Sequence, residues 1–208
     1  MPRNFELTWP KVLLSDLRGR LTYMCFLTHE VLVQPLLPQI LVGNEHEFTW
    51  ERLAGLAGWF QEPVYLWRER TAWCTAELLK KAMRLLMKLL APVLDDYEPV
   101  LVMDVYQSHC TREVLQLAWL LGLKLLFVPS LCTWLLQPCD ASYFARFKRA
   151  VRIAWMTAYA ESGGDGISHV AWVRIVVRVQ ALSAAATGHM HSGPLDCWTN
   201  RNSYHPKS

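Results

Sequence analysis

The alternation of apolar and polar positions divides the chain into short strands and longer helices. Arg20 to Thr28 (RLTYMCFLT) is rich in aromatic and branched residues, as a half-buried strand is. Val31 to Val42 (VLVQPLLPQILV) reads as the returning strand of an antiparallel hairpin, with Pro35 and Pro38 confining it to a sheet edge or breaking it. A short helix is expected around Trp50–Ala57 and a short strand at Val64–Trp67. Ala72 to Leu90 has the clearest helical period. Thr71 or Thr75 caps it, Lys80, Lys81, Arg84 and Lys88 form a basic stripe that reads as a solvated face, and Pro92 stops it.

The second half is patterned differently. Val100 to Met103 is a continuous apolar run that ends on Asp104, as a buried strand ends on a carboxylate. Thr111 caps a helix through about Leu121, Gly122 ends it, and Lys124 to Val128 forms the next strand, closed by Pro129. Strand, helix and strand in this length make a right-handed crossover between parallel strands. Gln137 to Asp140 opens a long helix reaching about Tyr159, with Phe144, Phe147, Val151 and Trp155 on its apolar side and Arg146, Lys148, Arg149 and Arg152 on other faces. Ser162–Gly166 is a break. Val170 to Leu182 is a helix or a strand, which periodicity does not settle, and the sequence after Ala186 is expected to be disordered. The order implies an α/β fold, a mixed sheet with helices on both faces, over residues 1–160, followed by a partly disordered extension over 161–208.

Composition narrows the function classes. Apolar residues at 52% and charged residues at 19% exclude a disordered chain. Ten Trp suit a core margin or a stacking surface, and the first is favoured. The apolar run from Val114 to Leu136 contains Gly122, Lys124 and Pro129, so it reads as helix, turn and strand rather than a membrane span. Six scattered Cys without a C-x-x-C pair or a signal peptide point to an intracellular chain with reduced thiols, and His189, His191 and Cys197 match no strong zinc spacing. The net charge of +3 is unevenly placed, with residues 1–99 at −1 and residues 100–160 at +3. A basic surround for Asp104 and Asp140 suits a polyanion held over metal ions, and equally an ordinary solvated helix. In such sheets ligands sit at the carboxyl ends of parallel strands, where Asp104 lies and which Asp140 could approach. Carboxylates converging there can hold two Mg²⁺ or Mn²⁺ ions about 3.5–4 Å apart and act on a phosphodiester. From spacing alone, the favoured reading is that such acids merely cap helices.

The wording of the segment adds a resemblance. Asp104 with His109 as D-x-x-x-x-H, Pro129 with Thr133, then Gln137, Pro138 and Asp140, then Phe147 with Lys148, resemble the DDE superfamily of transposase-derived endonucleases, in its pogo/mariner branch. RLTYMCFLT and LWRERTAW resemble that family's upstream stretches, so the likeness covers roughly residues 20–155. It implies a ribonuclease-H-like fold and cut-and-paste transposition, with Asp104 and Asp140 as the second and third metal-binding, catalytic acids. His109 and Gln137 would support them, and Arg146, Lys148, Arg149 and Arg152 would meet nucleic acid. It further implies Mg²⁺ or Mn²⁺ as cofactor, DNA as partner, a possible homo-oligomer, no membrane or small-molecule substrate, and a nuclear location. Two departures stand out. Val105 occupies a position where the family commonly has Asn, and the first acid should lie on a strand before Arg20, where only Glu6 and Asp16 are available and neither has the family context. With no helix-turn-helix domain before it, the chain reads as truncated at the N-terminus or as a decayed copy. The competing expectations are a catalytically inactive remnant that binds DNA or protein, favoured for these 208 residues, and an unrelated α/β protein.

Overall fold

The computed structural model describes residues 21–187 apart from 57, 61, 62, 138 and 165. The strands form two small sheets. In the first, β1 (Leu21–Cys25) pairs antiparallel with β2 (Gln39–Asn44), and β2 pairs parallel with β3 (Val64–Glu69). In the second, β4 (Val100–Asp104) pairs parallel with β5 (Lys124–Val128), with Asp104 opposite Val128. The helices are α1 (Trp50–Ala54), α2 (Ala76–Leu90), α3 (Arg112–Leu120), α4 (Thr133–Leu136), α5 (Phe144–Glu161) and α6 (His169–Thr187), with a π-helical turn, Cys139–Tyr143, leading into α5. The mixed α/β class holds, with the strands divided between two sheets.

Strand periodicity sorts the side chains between two cores. Met24 of β1, Ile40 and Val42 of β2, and Tyr65 and Trp67 of β3 face a core that also receives Leu101 and Met103 of β4 and Leu125 and Phe127 of β5. The filling of that core is α2, through Leu78, Leu79, Ala82, Met83, Leu86, Met87 and Leu90. The alternate residues of the first sheet, Leu21, Tyr23, Cys25, Leu41 and Leu66, face a second core built from Phe147 and Val151 of α5 and Val173, Val176, Val177 and Val179 of α6. Helices thus cover both faces of the first sheet. The outer face of the second sheet, with Val100, Val102 and Leu126, is exposed.

Local chemistry explains most boundaries. Pro35 and Pro38 break the expected returning strand into a 3₁₀ turn, Gln34–Leu36, and a strand that begins at Gln39, just past the last residue lacking an N–H. Freed of proline, β2 is the central strand rather than an edge. Thr75, not Thr71, caps α2 by accepting from the Leu78 N–H, and Thr111 caps α3 in the same way from Val114. Gly122 takes a φ of +69° where α3 ends, a conformation open to glycine at little cost. The run from Val114 to Leu136 contains α3, β5 and α4, and no described helix is long and apolar enough to cross a membrane.

The Val170–Leu182 stretch is helical, within α6, and Val173, Val176, Val177 and Gln180 recur at helical spacing on its buried side. This helix, in the stretch read as an extension, shares the second core with the first sheet. Among the described tryptophans, Trp67 and Trp172 pack at the margins of the two cores, while Trp50, Trp59, Trp73, Trp119 and Trp134 are exposed. Residues 1–20, which hold Glu6 and Asp16, and the tail with His189, His191 and Cys197 lie outside the described residues.

Met83 is fully buried in the core shared by both sheets. Met83→Ala is expected to cost about 2–5 kcal/mol, read as a lowered denaturation midpoint with an unchanged m-value in urea.

Candidate active site

Asp104 is the last residue of β4, and the chain turns immediately after it. The His109 N–H donates to the Tyr106 carbonyl at 2.8 Å, closing the turn, and the Ser108 hydroxyl donates to the Cys74 carbonyl at 3.2 Å, tying the turn to the lead-in of α2. His109 is folded back onto Asp104. Its Nδ1 lies 2.7 Å from the Asp104 Oδ1 and 3.2 Å from the Asp104 carbonyl oxygen. An Nδ1–H donor serves both oxygens. Tyr106 packs edge-on against the imidazole at 5.6 Å between centroids and narrows its freedom further. The four-residue gap in D-x-x-x-x-H is therefore the length of one turn that returns an imidazole to the carboxylate. His109 is 17% exposed and Asp104 37%, so the pair sits at the surface with the imidazole as the inner member.

Asp140 is positioned by other means. Leu131, at a φ of +70°, and a backbone bond from the Cys132 N–H to the Pro129 carbonyl at 3.1 Å reverse the chain after β5. One helical turn, α4, follows. The Asp140 N–H then donates to the Gln137 carbonyl at 3.0 Å, and the π turn begins. Asp140 is exposed. It is not the cap of the long helix, whose N-cap position is Tyr143 with no side-chain capping bond. The cap of α3 is Thr111, so neither acid serves a helix end in the way the unrelated-protein reading required. The Gln137 side-chain oxygen is buried and meets no hydrogen-bond partner among the described residues. Pro138 lies outside them.

The turn is held against β1 by a polar cluster that sequence reading did not identify. The Tyr23 hydroxyl donates to Gln39 Oε1 at 2.6 Å and lies 3.1 Å from the Tyr143 hydroxyl. The Cys139 thiol reaches the Cys25 carbonyl at 3.8 Å. Burial, and then the neighbouring Cys25, pushes the Tyr23 hydroxyl well above its ordinary range. Burial, and then a hydrogen bond with Cys139, does the same to the Cys25 thiol. The signal available in the sequence was the period-two placement of Tyr23 and Cys25 on one strand face.

The segments that carry the two acids are tied toward β1 through different residues. The turn after Asp104 is tied through Ser108 to the Cys74 carbonyl, and the Ala72 carbonyl two residues earlier accepts from the Thr22 hydroxyl. Asp140 follows Cys139, which adjoins Cys25, three residues further along the strand and about 10 Å away. Asp104 and His109 are brought together. Arg146, Lys148, Arg149 and Arg152 are all exposed on α5, spread over about half of its circumference opposite the buried Phe147 and Val151. Carboxylate oxygens at Asp104 and Asp140 are of the type a hard divalent ion takes. Among the described residues, no group of three or more His, Cys, Asp and Glu side chains converges to hold one. The donors therefore fit in kind without forming a complete set.

Burial raises the Cys74 thiol above its ordinary range, and the negative charge of Asp104 raises it further. Removing that charge lowers the thiol again and enlarges its thiolate fraction at a given pH. Asp104→Asn is therefore expected to speed alkylation of Cys74 by iodoacetamide at pH 8, followed by peptide mass spectrometry, while the rate at exposed Cys110 stays unchanged.

The model of one protein family, described as DDE superfamily endonuclease, matches residues 57–186. No curated protein and no solved structure matches the chain. The matched region spans both Asp104 with its folded-back His109 and the Gln137–Asp140 turn, and it extends through α6. With well over half of its length inside that match, the chain belongs to the DDE superfamily endonuclease family.

Proposed function

We propose that this chain is a transposase-derived DDE domain that binds DNA and cleaves phosphodiester bonds with the help of Mg²⁺ or Mn²⁺. The observation that carries the reading is the family match across a strand-end Asp104 already held by His109. Carboxylate oxygens of Asp104 and Asp140 would hold the ions, which when bound polarise the scissile phosphate and favour deprotonation of an attacking water. The chain's own residues do the remaining work. His109 fixes the orientation of the Asp104 carboxylate through Oδ1, so that orienting it costs little when substrate arrives. Gln137, whose backbone carbonyl accepts from the Asp140 N–H at 3.0 Å, positions the Asp140 segment. Arg146, Lys148, Arg149 and Arg152 neutralise phosphates flanking the cut. A three-carboxylate site needs one further acid, from a strand before Arg20. The nucleus is the compartment where such a domain would meet its DNA.

A second reading, DNA binding without cleavage, is favoured by the four exposed cations of α5, which are independent of any metal site. The two readings separate experimentally. Nicking of supercoiled plasmid in Mn²⁺ is expected to fall roughly 100-fold or more in both Asp104→Asn and Asp140→Asn, with DNA affinity retained. Equal background nicking by wild type and both variants would leave only the binding reading. For binding, Arg149→Ala with Arg152→Ala is expected to flatten the slope of log K against log salt by about 2, measured by fluorescence anisotropy. An unchanged slope would place the DNA elsewhere.

A further inference from the structure

The cluster beneath the Asp140 turn contains two thiols from distant parts of the chain. Cys25 is the last residue of β1, on the strand face that looks into the second core. Cys139 is the first residue of the π turn and directly precedes Asp140. The Cys139 sulfur lies 3.8 Å from the Cys25 carbonyl oxygen, and the two side chains are within hydrogen-bonding reach of each other. Both are free and partly accessible. The surroundings keep them in place: Tyr23 and Tyr143, one residue from each side of the contact, join their hydroxyls at 3.1 Å and pack their rings together at 6.3 Å. Nothing in the proposed cleavage chemistry uses either sulfur.

We propose that Cys25 and Cys139 form a redox-responsive dithiol that a peroxide converts to a disulfide, locking the turn that carries Asp140 onto β1. In the first step one thiol sulfur attacks a peroxide oxygen, the O–O bond breaks, water leaves and a sulfenic acid remains. In the second step the other sulfur attacks the oxidised sulfur, the S–O bond breaks, a second water leaves and the S–S bond forms. Two thiols and one hydrogen peroxide give one disulfide and two waters. The bond joins segments far apart in sequence, so it removes freedom from the unfolded chain, and it does so at the residue next to a candidate ligand. A thiol reductant reverses it.

The test uses the full chain treated with hydrogen peroxide and digested with trypsin without reduction. Trypsin releases Cys25 in residues 21–52, and Cys139 together with Cys132 in residues 125–146. A linked species of these two peptides is expected in wild type and in Cys132→Ser, and is expected to be missing in Cys139→Ser and Cys25→Ser. The peroxide-treated wild type should melt several degrees higher than the reduced protein, with dithiothreitol returning it to the starting value. Absence of the linked species in wild type, its persistence in Cys139→Ser, or a link without a change in melting temperature would each overturn the proposal. Peptide mass and melting temperature do not depend on whether the domain cleaves DNA.

Discussion

The apolar face of α2 is the contact on which the rest of the molecule depends. Neither sheet could bury its inner face alone, since among the described residues one has three strands and the other two. Both lean on the same helix, and its seven buried residues lie in the core that receives side chains from both. Because β4 is held this way, Asp104 at its end is carried to the lead-in of α2, where Ser108 and Cys74 hold the turn that follows. The position of a candidate ligand is thus set by packing on the opposite side of the strand. The polar end of β4 costs little because it emerges at the surface, while Met103, one residue earlier, is buried.

The second core has a comparable role for Asp140. Phe147 and Val151 anchor α5 to the first sheet, and Tyr143 anchors the π turn that precedes it. A π turn widens the helix by one residue, and such turns are often found at functional sites. Here it separates the exposed Asp140 from the α-helical run that carries the cations. The two acids therefore depend on different cores, one through α2 and one through α5 and α6. A rearrangement of either core would change their relation without altering any residue between them. The thiol pair lies on the second of these supports, which is why oxidation there would act on Asp140 and leave Asp104 untouched.

Much of this was legible in the residues. Strand ends at Asp104 and Val128, the cap at Thr111, the stop at Gly122 and the buried side of α5 all follow from period, capping and turn chemistry, which are local. For His109 the resemblance implied only a place near the site, and the turn that folds it onto Asp104 is seen in the structure. Other features were not legible either. Pro35 and Pro38 marked a break, but not that the residues after it would become the central strand. The valines of α6 were ambiguous because β-branched residues favour strands, and burial against Phe48 and α5 overrode that preference.

By itself the sequence determined the order of elements, the α/β class and the family to which the chain belongs, since these rest on local period, capping and motif. Tertiary structure alone decided that two sheets share one helix, that Asp140 lies in a π turn instead of capping a helix, and that Cys25 meets Cys139. The physical reason is separation along the chain. Contacts between residues a hundred positions apart leave no periodic trace, because they arise where two independently formed surfaces meet and bury each other.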